Sequence, residues 1–96
     1  MSVKIIASKP ISEIKKGDKI KVDKRILEVD AHFVLMEHKD SKGKNVNEMA
    51  IEVFDAKKDE DFQIRYFEEN LEDRIEFFEL QGGFMYTPVD IEKIEW

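Results

Sequence analysis

The chain has 96 residues, 22 of them acidic and 16 Lys or Arg, so its formal net charge is −6, and it contains no cysteine. This length leaves room for one domain, spanning residues 1–96, and the 10% aromatic content supplies apolar side chains for a core. The lack of cysteine excludes disulfides, thiolate metal sites and cysteine nucleophiles, and no apolar run is long enough to cross a membrane. We therefore expect a cytoplasmic protein without a membrane segment.

Positive charge is concentrated near the N-terminus. Residues 1–25 carry eight Lys and Arg against three Asp and Glu, a balance of +5, whereas residues 26–96 carry eight against nineteen, a balance of −11. A basic face of this kind can contact the phosphates of a nucleic acid while the acidic remainder faces outward. The alternative is that these lysines only keep an exposed edge soluble.

The first half of the chain predicts two strands. In the first, Ile20 and Val22 alternate with lysines after a turn at Gly17. The second runs from Ile26 to His38 and is rich in β-branched and aromatic residues. Alternation predicts that one face of this long strand carries Val29, Ala31, Phe33 and Leu35, and that the other carries Glu28, Asp30, His32, Val34, Met36 and His38.

The second half predicts a loop followed by further strands. Lys39–Asn47 is polar and contains glycine, which predicts an extended, mobile hairpin loop. Strands are expected over Met49–Phe54, Phe62–Tyr66, Arg74–Leu80 and Phe84–Tyr86. In the tail, Ile91 and Ile94 are three residues apart, which predicts a short helical turn that lays Trp96 against the domain.

One segment supports two interpretations. The spacing of Phe67, Leu71, Ile75 and Phe78 fits an acidic amphipathic helix over Glu60–Leu80. The preceding period-two pattern favours two strands joined at residues 68–73 instead. With that choice the sequence predicts an all-β fold: a small barrel of five to six strands with a short C-terminal helical turn.

Several short motifs occur in a recognisable order. Residues 15–23 read Lys-Lys-Gly-Asp-Lys-Ile-Lys-Val-Asp, followed by Ile-Leu-Glu-Val at 26–29 and a histidine at 38. A Ser-Lys-Gly-Lys segment at 41–44 precedes the strand at 49–54, and residues 75–86 combine an aromatic strand, a glycine turn and a Phe-Met pair. In this order the motifs resemble the SH3-like N-terminal domain of the elongation factor P family, which includes the hypusine-containing initiation factors.

The resemblance implies an SH3-like barrel whose loop at residues 39–47 reaches toward the acceptor end of transfer RNA on the ribosome. The modified lysine of that family would fall at Lys42 or Lys44. We therefore expect a non-catalytic binding module, a monomer or weak dimer, that contacts ribosomal or transfer RNA. The candidate contacts are Lys15, Lys16, Lys19, Lys39, Lys42 and Lys44. For the loop lysines, the alternative is a solvated hairpin tip.

A second hypothesis gives the acidic segment Asp59–Glu79 the role of binding a basic partner such as a ribosomal protein. No cofactor, metal or enzymatic activity is expected. His32 and His38 lie roughly 20 Å apart along an unbent strand, too far for one ion. The carboxylates share one crowded segment, and no serine stands in a nucleophile motif. Among the aromatic residues, Tyr66 or Tyr86 is the candidate for an exposed face on which a base could stack.

Overall fold

A computed structural model describes residues 3–68, 75–82 and 85–96. Within these ranges the chain forms one short 3₁₀ helix, Ile11–Glu13, and eight strands. The strands are β1 (Lys4–Ile6), β2 (Lys19–Val22), β3 (Arg25–Lys39), β4 (Asn45–Asp55), β5 (Glu60–Phe67), β6 (Glu76–Gln81), β7 (Met85–Pro88) and β8 (Lys93–Glu95). The all-β prediction is confirmed for this part of the chain. No helix in it is long and apolar enough to span a membrane.

All eight strands belong to one mixed sheet in the order β1-β8-β2-β3-β4-β5-β6-β7. The sheet is open, because no pairing joins β1 to β7 in the described ranges, so closure into a barrel of five to six strands is not confirmed. The sheet is nevertheless strongly curled. Ile94 of β8 and Phe77 of β6 share one buried core although their strands are five positions apart in the order, about 24 Å in a flat sheet.

The C-terminus ends in a strand rather than in the predicted helical turn. β8 lies between β1, to which it is parallel, and β2, to which it is antiparallel. Two apolar positions three residues apart are too few to distinguish a helical turn from a strand entering the core. The predicted packing of Trp96 is confirmed: it lies against the core, and its indole N–H donates to the carbonyl of Lys9 at 2.8 Å.

The segment with two interpretations forms strands. β5 and β6 pair antiparallel, with Phe62 opposite Glu79 and Ile64 opposite Phe77. The helix over Glu60–Leu80 is therefore excluded for the described residues. Most of the predicted junction at 68–73 lies outside them, as do Arg74 and Phe84 at the starts of two predicted strands.

The predicted faces of β3 are wrong over residues 31–34 because the strand contains a β-bulge. Val29 is opposite Val53 and Ala31 is opposite Glu52, so Asp30 is an extra residue. An extra residue reverses the alternation, and His32 consequently shares a face with Val29 instead of opposing it. A second register shift between Val34 and Met36 reverses the alternation again.

β3 and β4 project from the sheet as an arm, residues 33–50, which is two-stranded from residue 37 to residue 47. β2 pairs with β3 only as far as Glu28, and β5 pairs with β4 only as far as Glu48. The arm ends in a short turn at residues 40–44, because the strands continue to Lys39 and resume at Asn45. The long loop predicted over Lys39–Asn47 is therefore wrong in its extent.

Candidate functional site

A cleft of about 830 Å³ lies where the arm joins the body of the sheet. This volume is within the range of about 300–1,000 Å³ that is typical of ligand sites. The lining includes four apolar residues, Ile11, Ile14, Ala31 and Met49; three polar or acidic residues, His32, Tyr66 and Glu68; and two cations, Lys15 and Lys16. The cleft thus combines an apolar surface with positive charge.

The N-terminal wall of the cleft is held by Asp18. Its carboxylate accepts hydrogen bonds from the Lys9 ammonium at 2.7 Å and from the Lys15 backbone N–H at 3.0 Å. These two bonds lower the pKa of Asp18, the side-chain bond from Lys9 having the larger effect. Gly17 has a φ of 94°, which favours glycine, and its N–H donates to the carbonyl of Val29 at 2.9 Å. The Lys15–Lys16 segment is therefore fixed next to β3.

His32 and Tyr66 form a hydrogen-bonded pair in the cleft. The Nδ1 atom of His32 lies 2.8 Å from the carbonyl oxygen of Ile14, which can only accept, so Nδ1 carries a proton. Nε2 lies 2.7 Å from the Tyr66 hydroxyl, which donates to it when the imidazole is neutral. Burial, followed by the charge of Glu68, raises the pKa of Tyr66 to about 12.

The predicted RNA-contact residues separate into different groups. Lys15 and Lys16 lie at the cleft. Lys19 lies on β2, where its ammonium pairs with the carboxylate of Glu28. The other three, Lys39, Lys42 and Lys44, lie at the exposed end of the arm. Lys39 follows His32 by seven residues, which corresponds to about 23 Å of strand.

The turn at the end of the arm is ordered by Asp40. Its Oδ1 atom accepts the backbone N–H groups of Lys42 and Lys44, both at 2.9 Å. Gly43 has a φ of 78°, a left-handed conformation that an L side chain would strain. The positions of the lysine backbones are therefore set by the turn, whereas their side chains extend from a surface exposed to solvent.

His32 and His38 do not form a metal site. They are opposite Ile51 and Val46 respectively, which alternation places on different faces of the sheet. The alternation expected from the sequence puts them on one face, because the bulges are not visible in it. His38 instead lies 3.1 Å from a carboxylate oxygen of Glu48. No group of three or more metal-binding side chains occurs within residues 3–68, 75–82 and 85–96.

The two candidate stacking tyrosines are both engaged. Tyr66 is only 2% exposed, so the prediction of an exposed Tyr66 is wrong. Tyr86 is half-buried; its hydroxyl donates to Glu52 at 3.1 Å, and the Arg65 guanidinium lies 5.5 Å from its ring. The buried ring of Tyr66 therefore presents no exposed face on which a base could stack.

The acidic segment Asp59–Glu79 is only partly described. Asp61, Glu68 and Glu76 are exposed, while residues 69–74 lie outside the described ranges. Glu60 is paired with the Arg25 guanidinium at 2.7 Å and is therefore partly neutralised. The exposed carboxylates lie on or next to β5 and β6. In the sheet these two strands are separated from β3 by β4.

Sequence reasoning identified Lys15 and Lys16 but missed the His32–Tyr66 pair. The two residues are 34 positions apart, and the bulge that brings His32 to the cleft has no marker such as glycine in the sequence. A polar histidine within an apolar strand was the available signal. Comparisons with models of protein families, with curated proteins and with solved structures find no match to this chain.

Proposed function

We propose that this chain is a non-catalytic binding module that binds single-stranded RNA at the cleft, with ribosomal or transfer RNA as the expected source. The observation that supports the proposal is an apolar cleft with Lys15 and Lys16 in its lining and a hydrogen-bonded His32–Tyr66 pair within it.

The cleft suits binding better than catalysis. Both ring nitrogens of His32 are occupied, one by the Ile14 carbonyl and one by the Tyr66 hydroxyl, so neither is available as a base while these bonds persist. The raised pKa of Tyr66 keeps its hydroxyl protonated at neutral pH and makes it a poor nucleophile. The pair instead offers fixed polar groups for orienting a bound molecule.

Single-stranded RNA matches this combination of surfaces. Proteins recognise single strands by taking unstacked bases into apolar or aromatic sites while cations contact the phosphates. An apolar wall containing Ile14 and Met49 can receive a base, and Lys15 and Lys16 can contact the adjacent phosphates. Glu68 repels phosphate, so we place the RNA backbone on the lysine side of the cleft.

The arm provides a second contact for the same strand. Lys39 lies about 23 Å from His32 along β3, and Lys42 and Lys44 follow it in the terminal turn. An RNA strand leaving the cleft along the arm would reach them. If the resemblance to the SH3-like domain of the elongation factor P family holds, Lys42 or Lys44 is within this proposal the position of a modified lysine.

The test is a titration of labelled single-stranded RNA, followed by fluorescence anisotropy at several salt concentrations. We expect K15E/K16E to weaken binding strongly and to reduce the slope of log affinity against log salt by roughly 1–2. The matched control is K21E/K24E, which makes the same charge change at two exposed lysines outside the cleft lining. Equal losses in both variants would show nonspecific attraction and contradict the proposed cleft.

The competing hypothesis, an acidic surface that binds a basic ribosomal protein, predicts a different result. In that case the RNA titration shows no binding by the unmodified chain, whereas a ribosomal protein fraction binds it and loses affinity for E68K/E76K. Both glutamates are exposed, so these substitutions should leave the fold intact.

A further inference from the structure

Among the described residues, no strand pairs along the arm with the edge of β3 that faces away from β4. β2 pairs with β3 from Arg25 to Glu28, and Gly17 and Asp18 extend this contact by hydrogen bonds to Val29. Beyond Val29, no strand in the described part of the chain pairs with this edge. The edge is also apolar: Phe33 is 37% exposed, Val34 47% and Met36 55%. An exposed apolar edge of this length is a surface for strand pairing with another chain.

We propose that this edge pairs with the same edge of a second copy of the chain. The two β3 strands would run antiparallel about a two-fold axis between Val34 and Leu35. In this register, residue numbers of opposite positions sum to 69, so Phe33 is opposite the partner's Met36 and His32 is opposite the partner's Glu37.

The bulge near Leu35 selects this register. Opposite residues in an antiparallel pair must lie on the same face, which a regular strand allows only for numbers of equal parity. Phe33 is opposite Ala50 and Met36 is opposite Glu48 in β4, two positions that share a face. His32 and Glu37 are opposite Ile51 and Asn47, which share the other face. The bulge thus makes Phe33–Met36 and His32–Glu37 same-face pairs although their numbers differ in parity.

Charge distinguishes this register from its neighbours. With a sum of 69, Asp30 at the start of the edge is opposite the partner's Lys39 at its end, so opposite charges are paired. A sum of 67 would place Asp30 opposite the partner's Glu37, and like charges directly opposite each other are destabilising. A sum of 71 would place Val34 opposite the partner's Glu37 and His32 opposite the partner's Lys39. The register of 69 also pairs Phe33 with Met36, both apolar and exposed.

This dimer has a consequence for the cleft. In the dimer, Lys39 at the end of one arm is opposite Asp30 of the other copy. Asp30 lies two residues before His32, which lines the cleft of that copy. Each arm would therefore bring its terminal lysines next to the cleft of the other copy, and lysines that are separated within one chain would converge between two. The dimer does not depend on RNA, so its test is independent of the proposed RNA binding.

The test measures the mass of the protein in solution by sedimentation equilibrium over a range of concentrations. The unmodified chain should pass from monomer to dimer as its concentration rises. F33K and M36E, each changing an exposed side chain, should raise the dimer dissociation constant at least about tenfold. An equimolar mixture of F33K and M36E should recover dimerisation. In the mixed dimer the introduced lysine of one chain is opposite the introduced glutamate of the other, and the remaining Met36 is opposite the remaining Phe33.

The matched control is M85E, which alters an apolar residue that is 68% exposed on β7, away from this edge. It should leave the dissociation constant unchanged. An unmodified chain that stays monomeric up to about 1 mM, the upper end of weak association, overturns the proposal. Mixed F33K and M36E chains that remain monomeric while each variant keeps its circular dichroism spectrum overturn it as well, as does M85E abolishing the dimer.

Discussion

β3 and β4 run through both the body of the sheet and the arm, yet their side chains have different environments in the two regions. In the body, β3 has a neighbour on each edge, and residues such as Leu27 and Val29 are completely buried. In the arm, β3 has one neighbour, and Phe33 and Met36 remain exposed. An apolar strand is therefore not evidence of a core position by itself. The number of neighbouring strands decides whether apolar residues stabilise the fold or remain available for binding.

The largest expected difference between the two regions is in the effect of truncating apolar side chains. Ile64 is 0% exposed in the body and Met36 is 55% exposed in the arm. We expect I64A to lower the free energy of unfolding by about 2–5 kcal/mol and M36A to change it by less than about 1 kcal/mol. Urea denaturation at a fixed low protein concentration measures both. Similar losses for the two variants would mean that the arm is part of the cooperative core.

Two turns, one in the body and one in the arm, should differ by an intermediate amount in their contribution to stability. In the body, Asp55 accepts hydrogen bonds from the backbones of Lys57 and Lys58 and pairs with Arg25 at 3.1 Å. In the arm, Asp40 accepts only backbone N–H groups in the contacts described for its side chain. We expect D55A to lower the free energy of unfolding about twice as much as D40A, since it also removes a bond from a charged guanidinium. Urea denaturation of the two variants measures the ratio, and an equal loss would contradict a stabilising role for the Arg25 pair.

The pKa of Asp55 determines how the stability of the unmodified chain and of D55A depends on pH. The hydrogen bond from Arg25, the largest of the effects that lower it, holds the pKa of Asp55 below its ordinary value, although burial opposes this. The stabilisation is therefore complete above the ordinary carboxyl pKa of about 4 and is lost as pH falls through the lowered value. D55A should lose less stability than the unmodified chain between neutral pH and pH about 2. Parallel acid-dependence curves would contradict this assignment.

The smallest expected effect concerns the junction of the two regions. Removing the Tyr66 hydroxyl with Y66F leaves Nε2 of His32 without its partner, which should cost about 1–2 kcal/mol at neutral pH. Because folding raises the pKa of Tyr66, the unfolded chain loses the hydroxyl proton at a lower pH than the folded chain does. The free energy of unfolding therefore falls as pH rises from about 10 toward 12. Y66F should remove that part of the alkaline loss, measured by urea denaturation at several pH values. An unchanged alkaline slope would contradict the burial of Tyr66.

The sequence predicted the body well because burial there follows the simple alternation of a strand. The period-two run through Phe62, Ile64 and Tyr66 correctly favoured strands over a helix in the described part of residues 60–80. It did not predict the bulge at Asp30, since an extra residue changes the face of every residue after it without changing the composition. His32 was therefore placed on the wrong face, and the His32–Tyr66 pair in the cleft was missed.

Lys15 and Lys16 were identified from the sequence because they belong to a basic segment that ends in a turn at Gly17. Their proximity to His32 depends on contacts between distant segments, such as the bond from Gly17 to Val29, that no local pattern encodes. The C-terminal strand was missed for the same reason. β8 is only three residues long and is defined by its neighbours β1 and β2 rather than by its own sequence.

The central claim is that RNA occupies the cleft at the base of the arm. The most direct measurement is a titration of the isotope-labelled chain with single-stranded RNA, followed by the amide signals in nuclear magnetic resonance spectra. We predict the largest changes at Lys15, Lys16 and His32, smaller changes at the end of the arm, and almost none on β6 and β7. Changes concentrated on β6 and β7, or no changes at saturating RNA, would contradict the account.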